Sequence, residues 1–399
     1  MGWLGLDDTD HLGGGCTTKT LDDLINSLPE NVSVGELRLV RLWPFAKQRT
    51  RGNAAVAVEL DALNEQQLLA HLDNWWDKKI APLSGMITSS ENYHREQFAT
   101  DPGMVWYSKS MPSEQFYFDA VSSEITLNQV PVADKSWGGH GRIGATAAVA
   151  WNKSNITFEA IAWRSQSSMA QKHDRKIDYD RLLQIDEQVD TFMSRDSRTG
   201  NSLIAPRGPC PVLFGVRTTS FDSAKESAQY LIDSDETEPI SGMRVFITNQ
   251  ASDDHLGENM DGIVVETEVL SRGTVVINCR EHQLVAFSES GEIKLLSQWL
   301  KEGDEIQFNG LTSGDGTVHL ERLKITNPKP KKVRPLCQKC DVRMKSMGKN
   351  QPVRCPKCRD KSPKLWLEET RVPPFRTWVQ APLDSRRHLT RPLEWCNFE

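Results

Sequence analysis

The sequence predicts an α+β protein of several domains, and three observations carry that prediction. At 399 residues the chain exceeds one ordinary core, since domains usually run ~100–200 residues. Strand-like runs and amphipathic helices interleave up to about residue 255, and short alternating strands replace them from Gly262 to Asn327. Near the C-terminus four of the eight cysteines fall into two CxxC pairs. The expected domains are 1–150, 151–255, 256–327 and 328–399.

Gly2 to Leu6 reads as a short apolar strand whose following loop feeds a helix from about Thr17. Leu21, Leu24, Ile25 and Leu28 fall at i, i+3, i+4 and i+7, so one helix face is buried and Asp22 and Asp23 are expected to point outward. GELRLVRLW and NAAVAVEL read as strands joined by the basic loop AKQRTRG, and a Leu- and Trp-rich helix covers roughly 65–80. In SWGGHGRIGATAAVAW (136–151) glycines again open a small-residue helix, and the strand TFEAIAWR follows. VLFGVR, FDSAKESAQYLI and MRVFITNQ read as strand, helix and strand, which suits a ferredoxin-like domain.

Next come IVVETEV, TVVINCR and HQLVAFS, a helical turn LLSQWL, then DEIQFNGLT and TVHLERLKI. Three strands, a helix and two strands is the order of an OB-fold barrel, which commonly binds oligonucleotides. After the linker NPKPKKVRPL, Cys337, Cys340, Cys355 and Cys358 have the spacing of a tetrahedral zinc ribbon. All four ligand positions are filled by protein, so this zinc is structural. Lys339, Arg343, Lys345, Lys357 and Arg359 inside the ribbon suit phosphate contacts with RNA, and also suit a merely solvated basic face. Tryptophans and arginines in FRTWVQAPLDSRRHLTRPLEW add surfaces on which unpaired bases stack.

No run approaches the ~18 apolar residues of a membrane span, and the scattered Cys16, Cys210, Cys279 and Cys396 suit reduced thiols better than a disulfide framework. The N-terminus enters a strand directly, without the regions of a secretory signal. A cytoplasmic protein is expected. The net charge of -6 conceals a split: residues 328–399 hold 18 Lys+Arg against 7 Asp+Glu, and the remainder holds 30 against 47. A basic tail on an acidic body suggests a polyanion held at one end while chemistry happens elsewhere.

That chemistry points to LGLDDTDHLGGGCTTKTL. Three carboxylates in four residues repel one another unless a divalent cation sits among them, and Mg²⁺ takes such ligands together with nucleotide phosphates. Magnesium would bridge Asp7, Asp8 and Asp10 to phosphate, while Gly13, Gly14 and Gly15 let backbone amides approach and the helix start at Thr17 and Thr18 donates N–H groups. Asp and Thr are also ordinary turn and cap residues. The glycines of GGHGRIG serve a tight turn or, beside a nucleotide site, bring Arg142 to a phosphate; Arg207, Lys47 and Arg51 are further candidates. His140 and His255 are candidates for polar contacts.

The ordered set LGLDDTD, GGCTTKTL, RLVRLWP, KQRTRGNAAV, GGHGRIGATAAVA, LIAPRGPCPVLFGVR, VFITNQASDDHL, an OB-like segment and a four-cysteine ribbon resembles the archaeal tRNA(Ile) 2-agmatinylcytidine synthetase family. The resemblance covers nearly the whole chain. It implies an enzyme that joins agmatine to C2 of the wobble cytidine in a CAU-anticodon isoleucine tRNA, so that AUA is read instead of AUG. It further implies an N-terminal kinase-like domain that consumes ATP to AMP and phosphates and phosphorylates the cytidine carbonyl, which agmatine's amine then attacks. Phosphorylation turns a poor leaving oxygen into a good one. Asp7, Asp8 and Asp10 match the family's acidic motif, and the family's autophosphorylated threonine matches Thr17, with Thr18 the alternative.

Two departures stand out: His11 follows DDTD where the family pattern has serine, and GGHGRIG is less basic than the corresponding loop. Two rival readings remain, a non-catalytic RNA- or single-strand-binding protein and a small-molecule kinase with regulatory RNA modules.

Overall fold

The computed structural model describes residues 1–11, 13–49, 52–86, 98–170, 174–196, 198–206 and 208–396. The chain divides into two compact units, Met1–Leu256 with Arg386–Glu399, and Gly257–Ser385. The C-terminal segment therefore does not stay with the zinc module, as the expected 328–399 boundary had it. It closes back on the first unit through backbone bonds from Ala251 to His388 and from Asp253 to Leu389.

The first unit is built on an eight-stranded sheet. Its strands are β1 (Gly2–Asp7), β2 (Val32–Arg41), β3 (Ala54–Ala62), β4 (Gly103–Tyr107), β5 (Lys135–Gly138), β6 (Thr157–Arg164), β7 (Val212–Thr218) and β8 (Ile240–Thr248). They run in the order β5-β4-β1-β3-β2-β8-β6-β7. All pairings are antiparallel except β2–β8, where Arg38 faces Ile247 and Leu39 faces Thr248. The two predicted α+β halves thus share one sheet, joined along that parallel seam.

Alternation along the strands sends side chains to two cores. Val56 and Val58 join Leu4, Leu6, Leu21 and Leu24 on one face. Ala55 and Ala57 join Val105, Tyr107 and Trp151 on the other. The first core receives α1 (Thr17–Ser27) and α2 (Glu65–Trp75), the second α3 (Glu114–Ser122) and α4 (Arg142–Ala150). Full burial of Leu21 and Leu24 contributes about 1.5–3 kcal/mol each relative to exposure. The alanines of α4 let it lie almost on the strand: a Cβ on Gly5 would come within 2.2 Å of the Ala145 carbonyl oxygen. Three further α-helices of this unit are α5 (Gln166–Ala170), α6 (Tyr179–Asp186) and α7 (Phe221–Ile232).

Asp22 departs from expectation. It is buried, and its carboxylate accepts from Arg244 of β8 at 2.6 Å and from Lys19 at 3.1 Å. Helical periodicity puts Asp22 beside the apolar face, where only the later arrival of β8 supplies its partner. Asp23 is exposed as predicted.

In the second unit β9 (Met260–Val269), β10 (Val275–Cys279), β11 (Gln283–Ala286), β12 (Glu305–Thr312) and β13 (Val318–Asn327) run in the order β11-β10-β9-β12-β13. A parallel pairing of β11 with β13, Leu284 opposite Val318, closes the sheet on itself. The helix α8 (Glu292–Trp299) lies between the third and fourth strands, and Val264, Ile277, Leu284, Phe308 and Leu323 fill the interior. Three two-residue strands at 345–346, 353–354 and 361–362 carry the cysteine module. Among the described residues no helix is long and apolar enough to cross a membrane.

Candidate active site

The acidic loop leaves β1 with Asp7 half-buried against α4. A Cβ on Gly144 would sit 1.9 Å from Asp7 Oδ2, so only glycine leaves room for this carboxyl. Asp8 takes a left-handed backbone, φ 55°, which turns its N–H back onto Asp7 Oδ1 at 2.7 Å. Asp8 Oδ2 accepts from the Asp101 N–H at 2.8 Å, and Asp101 Oδ2 accepts from the His140 N–H at 2.7 Å. The Asp10 carbonyl accepts from Thr100 Oγ1 at 3.0 Å. Three distant stretches, 7–10, 100–103 and 138–144, are therefore tied into one wall.

Burial, reinforced by the neighbouring charge of Asp8 and then of Asp10, holds the Asp7 carboxyl well above the ordinary carboxylate range. A cation would remove that penalty. Among the described residues only the cysteines form a ligand set of three or more protein groups. DDTD instead offers the one or two carboxylates that Mg²⁺ takes beside phosphate oxygens and water, and in that sense fits the ion.

Asp7, Asp8 and Asp10 line a cleft with Trp43, Lys47, Arg49, Asn53, Glu124 and His140. Counting the space open to solvent, it holds about 630 Å³. Lys47 is largely exposed, 4.0 Å from Glu124. Arg142 does not line this cleft; its Nε–H donates to the Gly139 carbonyl at 3.2 Å, and His140 takes the place on the wall. The glycines of GGHGRIG are explained by close packing, since a Cβ on Gly141 would meet the Asp7 carbonyl oxygen at 2.7 Å and the Gly103 nitrogen at 2.3 Å. Arg51 and Arg207 lie outside the described residues.

Thr17 and Thr18 face a second cavity, which shares Asp10 and Gly52 with the first. Gly15 and Cys16 belong to it, Gly13 is exposed, and the Gly14 N–H is already bonded to the His11 carbonyl at 3.0 Å in a tight hairpin. The glycine run thus contributes one wall residue rather than a row of amides. No side-chain hydrogen bond caps α1. Thr17 Oγ1 accepts from Thr9 at 3.3 Å, while Thr18 Oγ1 accepts from the Trp163 indole at 3.2 Å and contacts Cys16 Sγ at 3.0 Å.

The far wall of this cavity holds a charged group that sequence reasoning missed. Glu159 of β6 stands directly opposite Arg217 of β7 in the antiparallel register. Its Oε1 is 3.5 Å from Arg217 Nε, and its Oε2 accepts from Arg41 at 3.2 Å and from Gln250 at 2.5 Å. His388 also lines the cavity. The one available signal was a glutamate inside the otherwise apolar strand TFEAIAWR, which needs a buried partner.

In the ribbon the four sulfur atoms lie within 4.8 Å of one another. Tetrahedral Zn–S bonds of about 2.3 Å place sulfurs roughly 3.8 Å apart, so the donor set fits zinc with small adjustment. Backbone N–H groups of Lys357 and Cys358 point at Cys355 Sγ, each at 3.4 Å. Asp341 and Arg359, each following a CxxC pair, take left-handed backbones, φ 49° and 64°. Of the predicted RNA contacts, Lys339 pairs with Asp360 at 3.3 Å and Arg343 with Glu369 at 2.6 Å. Lys345, Lys357 and Arg359 are exposed, with no ion pair among the described residues.

Comparison with known proteins gives three family-model matches: the TiaS TCKD domain over residues 3–138, the TiaS FLD domain over 139–255 and the TiaS C-terminal zinc ribbon domain over 334–371. TiaS of Methanopyrus kandleri, a 2-agmatinylcytidine synthetase acting on an isoleucine tRNA, is 30% identical, across 98% of this chain and 96% of that protein. This chain belongs to the TiaS family. A second TiaS relative, from Methanosarcina mazei, is 29% identical over 98% of this chain and 96% of its own. Among solved structures, apo TiaS and the complex of TiaS with its isoleucine tRNA and ATP superpose with TM-scores of 0.79 and 0.80, each at 25% identity over all of this chain and 98% of theirs. The TCKD match contains DDTD and CTT, whereas Glu159, Arg217 and Gln250 fall in the FLD match. In this TiaS-family chain the second cavity is therefore walled by residues from both matched segments, which is why neither motif alone revealed it.

Proposed function

We propose that this protein uses ATP to join agmatine to C2 of the wobble cytidine in the CAU-anticodon isoleucine tRNA. The observation that carries the reading is the shared wall of the two cavities: Asp10 and Gly52 border both the acidic cleft and the cavity of Thr17 and Thr18. Acids that suit a metal-bound triphosphate thus adjoin hydroxyls that suit a phosphoryl acceptor, in a family whose named members are agmatinylcytidine synthetases.

In this reading Asp7 and Asp8 hold Mg²⁺, which supplies charge neutralisation for phosphate oxygens when bound. Asp101 fixes the Asp8 carboxylate, Lys47 screens phosphate at the cleft mouth, and Thr17 takes a phosphoryl group. The acidic cleft attracts the agmatine dication, and flipping the wobble base out of its stack costs a few kcal/mol that distant RNA contacts must offset. The half of the first unit bearing DDTD and CTT is the kinase-like domain, and the half with β6, β7 and β8 the ferredoxin-like one. The closed sheet with α8 between its third and fourth strands has the order of an OB-fold, and with the zinc ribbon it grips the tRNA. A tRNA substrate suits the cytoplasmic location expected above.

The test is mass analysis of tRNA nucleosides after incubation with ATP, agmatine and the tRNA. A cytidine heavier by the agmatine increment is the expected result. Unmodified cytidine with intact ATP in every mixture would favour plain RNA binding.

A further inference from the structure

The three matched family models end at Arg371, yet the chain continues, and residues 386–396 return to the first unit. Trp395 packs edge-on to Phe192 with ring centroids 5.1 Å apart, and the Arg387 guanidinium lies 4.8 Å from the Phe45 ring centre. The Arg391 N–H donates to Asp253 at 2.7 Å. This docking carries His388 into the wall of the cavity that Thr17 and Thr18 line.

Hydrogen-bond logic settles the tautomer of His388. The Gln250 amide Nε2 donates to Glu159 Oε2 at 2.5 Å. Gln250 Oε1 then turns to His388 Nδ1 at 3.2 Å, which must carry the proton. His388 is an exposed residue that lines the cavity, so its ring reaches Gln250 from the surface. The resulting relay runs from His388 through Gln250 and Glu159 to both arginines. The loop bearing Gln250 holds Arg41 a second time: Asn249 accepts from the Arg41 N–H at 2.8 Å and donates to the Arg41 carbonyl at 2.9 Å.

The arginines are not fully spent on this relay. One carboxylate faces two guanidiniums, and the buried Nε atoms of Arg41 and Arg217 make no hydrogen bond. Arg217 is itself 7% exposed. Two guanidiniums with unused N–H groups beside two threonine hydroxyls, in a cavity that Asp10 also borders, suit the oxygens of a phosphoryl group.

We propose that His388, delivered by the C-terminal segment, is a positioning residue for phosphoryl transfer: through Gln250 and Glu159 it holds Arg41 and Arg217 in place for phosphoryl oxygens near Thr17. The proposal rests on the ATP-dependent reading above. It makes phosphoryl chemistry at the start of the chain depend on residues beyond the zinc ribbon.

The test compares full-length wild type, His388→Leu and His388→Asn, with ATP, the isoleucine tRNA and agmatine each varied. Leucine removes the N–H donor to Gln250, whereas asparagine can restore one near the Nδ1 position. Leucine is expected to lower kcat/KM for ATP about tenfold, the scale of one lost oriented hydrogen bond. Agmatine KM and tRNA Kd should stay within about twofold, Tm within about 2 °C, and asparagine should recover most of the loss. A leucine variant as active as wild type, an asparagine variant no better than leucine, or a loss shared equally with tRNA binding would overturn the proposal. Wild type that consumes no ATP in any mixture would instead defeat the functional reading on which it rests.

Discussion

The indole N–H of Trp163 on β6 donates to the hydroxyl of Thr18 on α1 at 3.2 Å. Cys16 holds the same hydroxyl from the other side, so Thr18 is a structural link between the two halves of the shared sheet. Among the described residues the Thr17 hydroxyl receives only a long bond from Thr9. Phosphate transferred from ATP should therefore appear on Thr17. Peptide mass spectrometry after incubation with ATP checks this: Thr17→Ala should abolish the label, whereas Thr18→Val should retain it at a reduced rate. Phosphate on Thr18 would reverse the assignment.

Asp8 should be separable from RNA binding. Asparagine tolerates the left-handed backbone found there, so Asp8→Asn keeps the loop while removing the Asp8 carboxylate. We expect ATP turnover to fall about 100-fold, the scale of a lost electrostatic contact in a transition state, with tRNA affinity within about twofold. Gel-shift and turnover assays on one preparation measure both. An equal loss of both would contradict the assignment.

The Asp22–Arg244 bond pins α1 to β8. Asp22→Ala leaves the half-buried Arg244 guanidinium with Asn26 Oδ1 as its remaining acceptor at 2.8 Å, and loss of a charged hydrogen bond of this kind costs about 2 kcal/mol. Urea denaturation should show that loss. An unchanged midpoint would mean that the Asn26 contact alone holds Arg244.

Asp178 caps α6, accepting from the Arg181 N–H at 3.0 Å. The Ser234 hydroxyl, then that N–H, hold its carboxyl below the ordinary value of 3.8. A carboxyl depressed in the folded state stabilises above its unfolded pKa, and that contribution disappears as pH falls through the lower folded value. Melting temperature should therefore drop as pH falls through and below 3.8, and Asp178→Asn should flatten that drop. Parallel curves for the two proteins would exclude Asp178 as a source.

Zinc removal should act on the ribbon alone. Cys355→Ser, or a strong chelator, unfolds a module whose small core is Cys337, Cys355, Met344 and Val353. Loss of two or three phosphate contacts by Lys345, Lys357 and Arg359 would make the slope of log Kd against log salt shallower by about 2–3. Salt-dependent tRNA binding measures it, and an identical slope would show that these cations do not touch RNA.

Much of the fold was legible in order. The strand at Gly2–Asp7, the helices at Thr17 and Phe221, and the three-strand, helix, two-strand segment all lie where periodicity put them, because each buries one regular face. Asp22 was misread because a helix face shows what it buries, not which distant strand supplies a partner. Arg142 stayed ambiguous in the sequence because a glycine-flanked arginine looks alike whether its neighbours face phosphate or another backbone. The boundary near 150 hid the shared sheet, since a parallel seam between β2 and β8 leaves no mark in either strand.

By itself the sequence determined the chemistry on offer: an acidic loop before CTT, a four-thiolate ribbon and a basic tail, each a local pattern of neighbouring residues. Only the tertiary structure decided which groups meet. Glu159, Arg217, Arg41, Gln250 and His388 come from five separate stretches, and no local spacing relates them. Their encounter depends on sheet register and on where the C-terminal segment docks, because buried charges select partners by position in space, and position is a property of the whole packed chain.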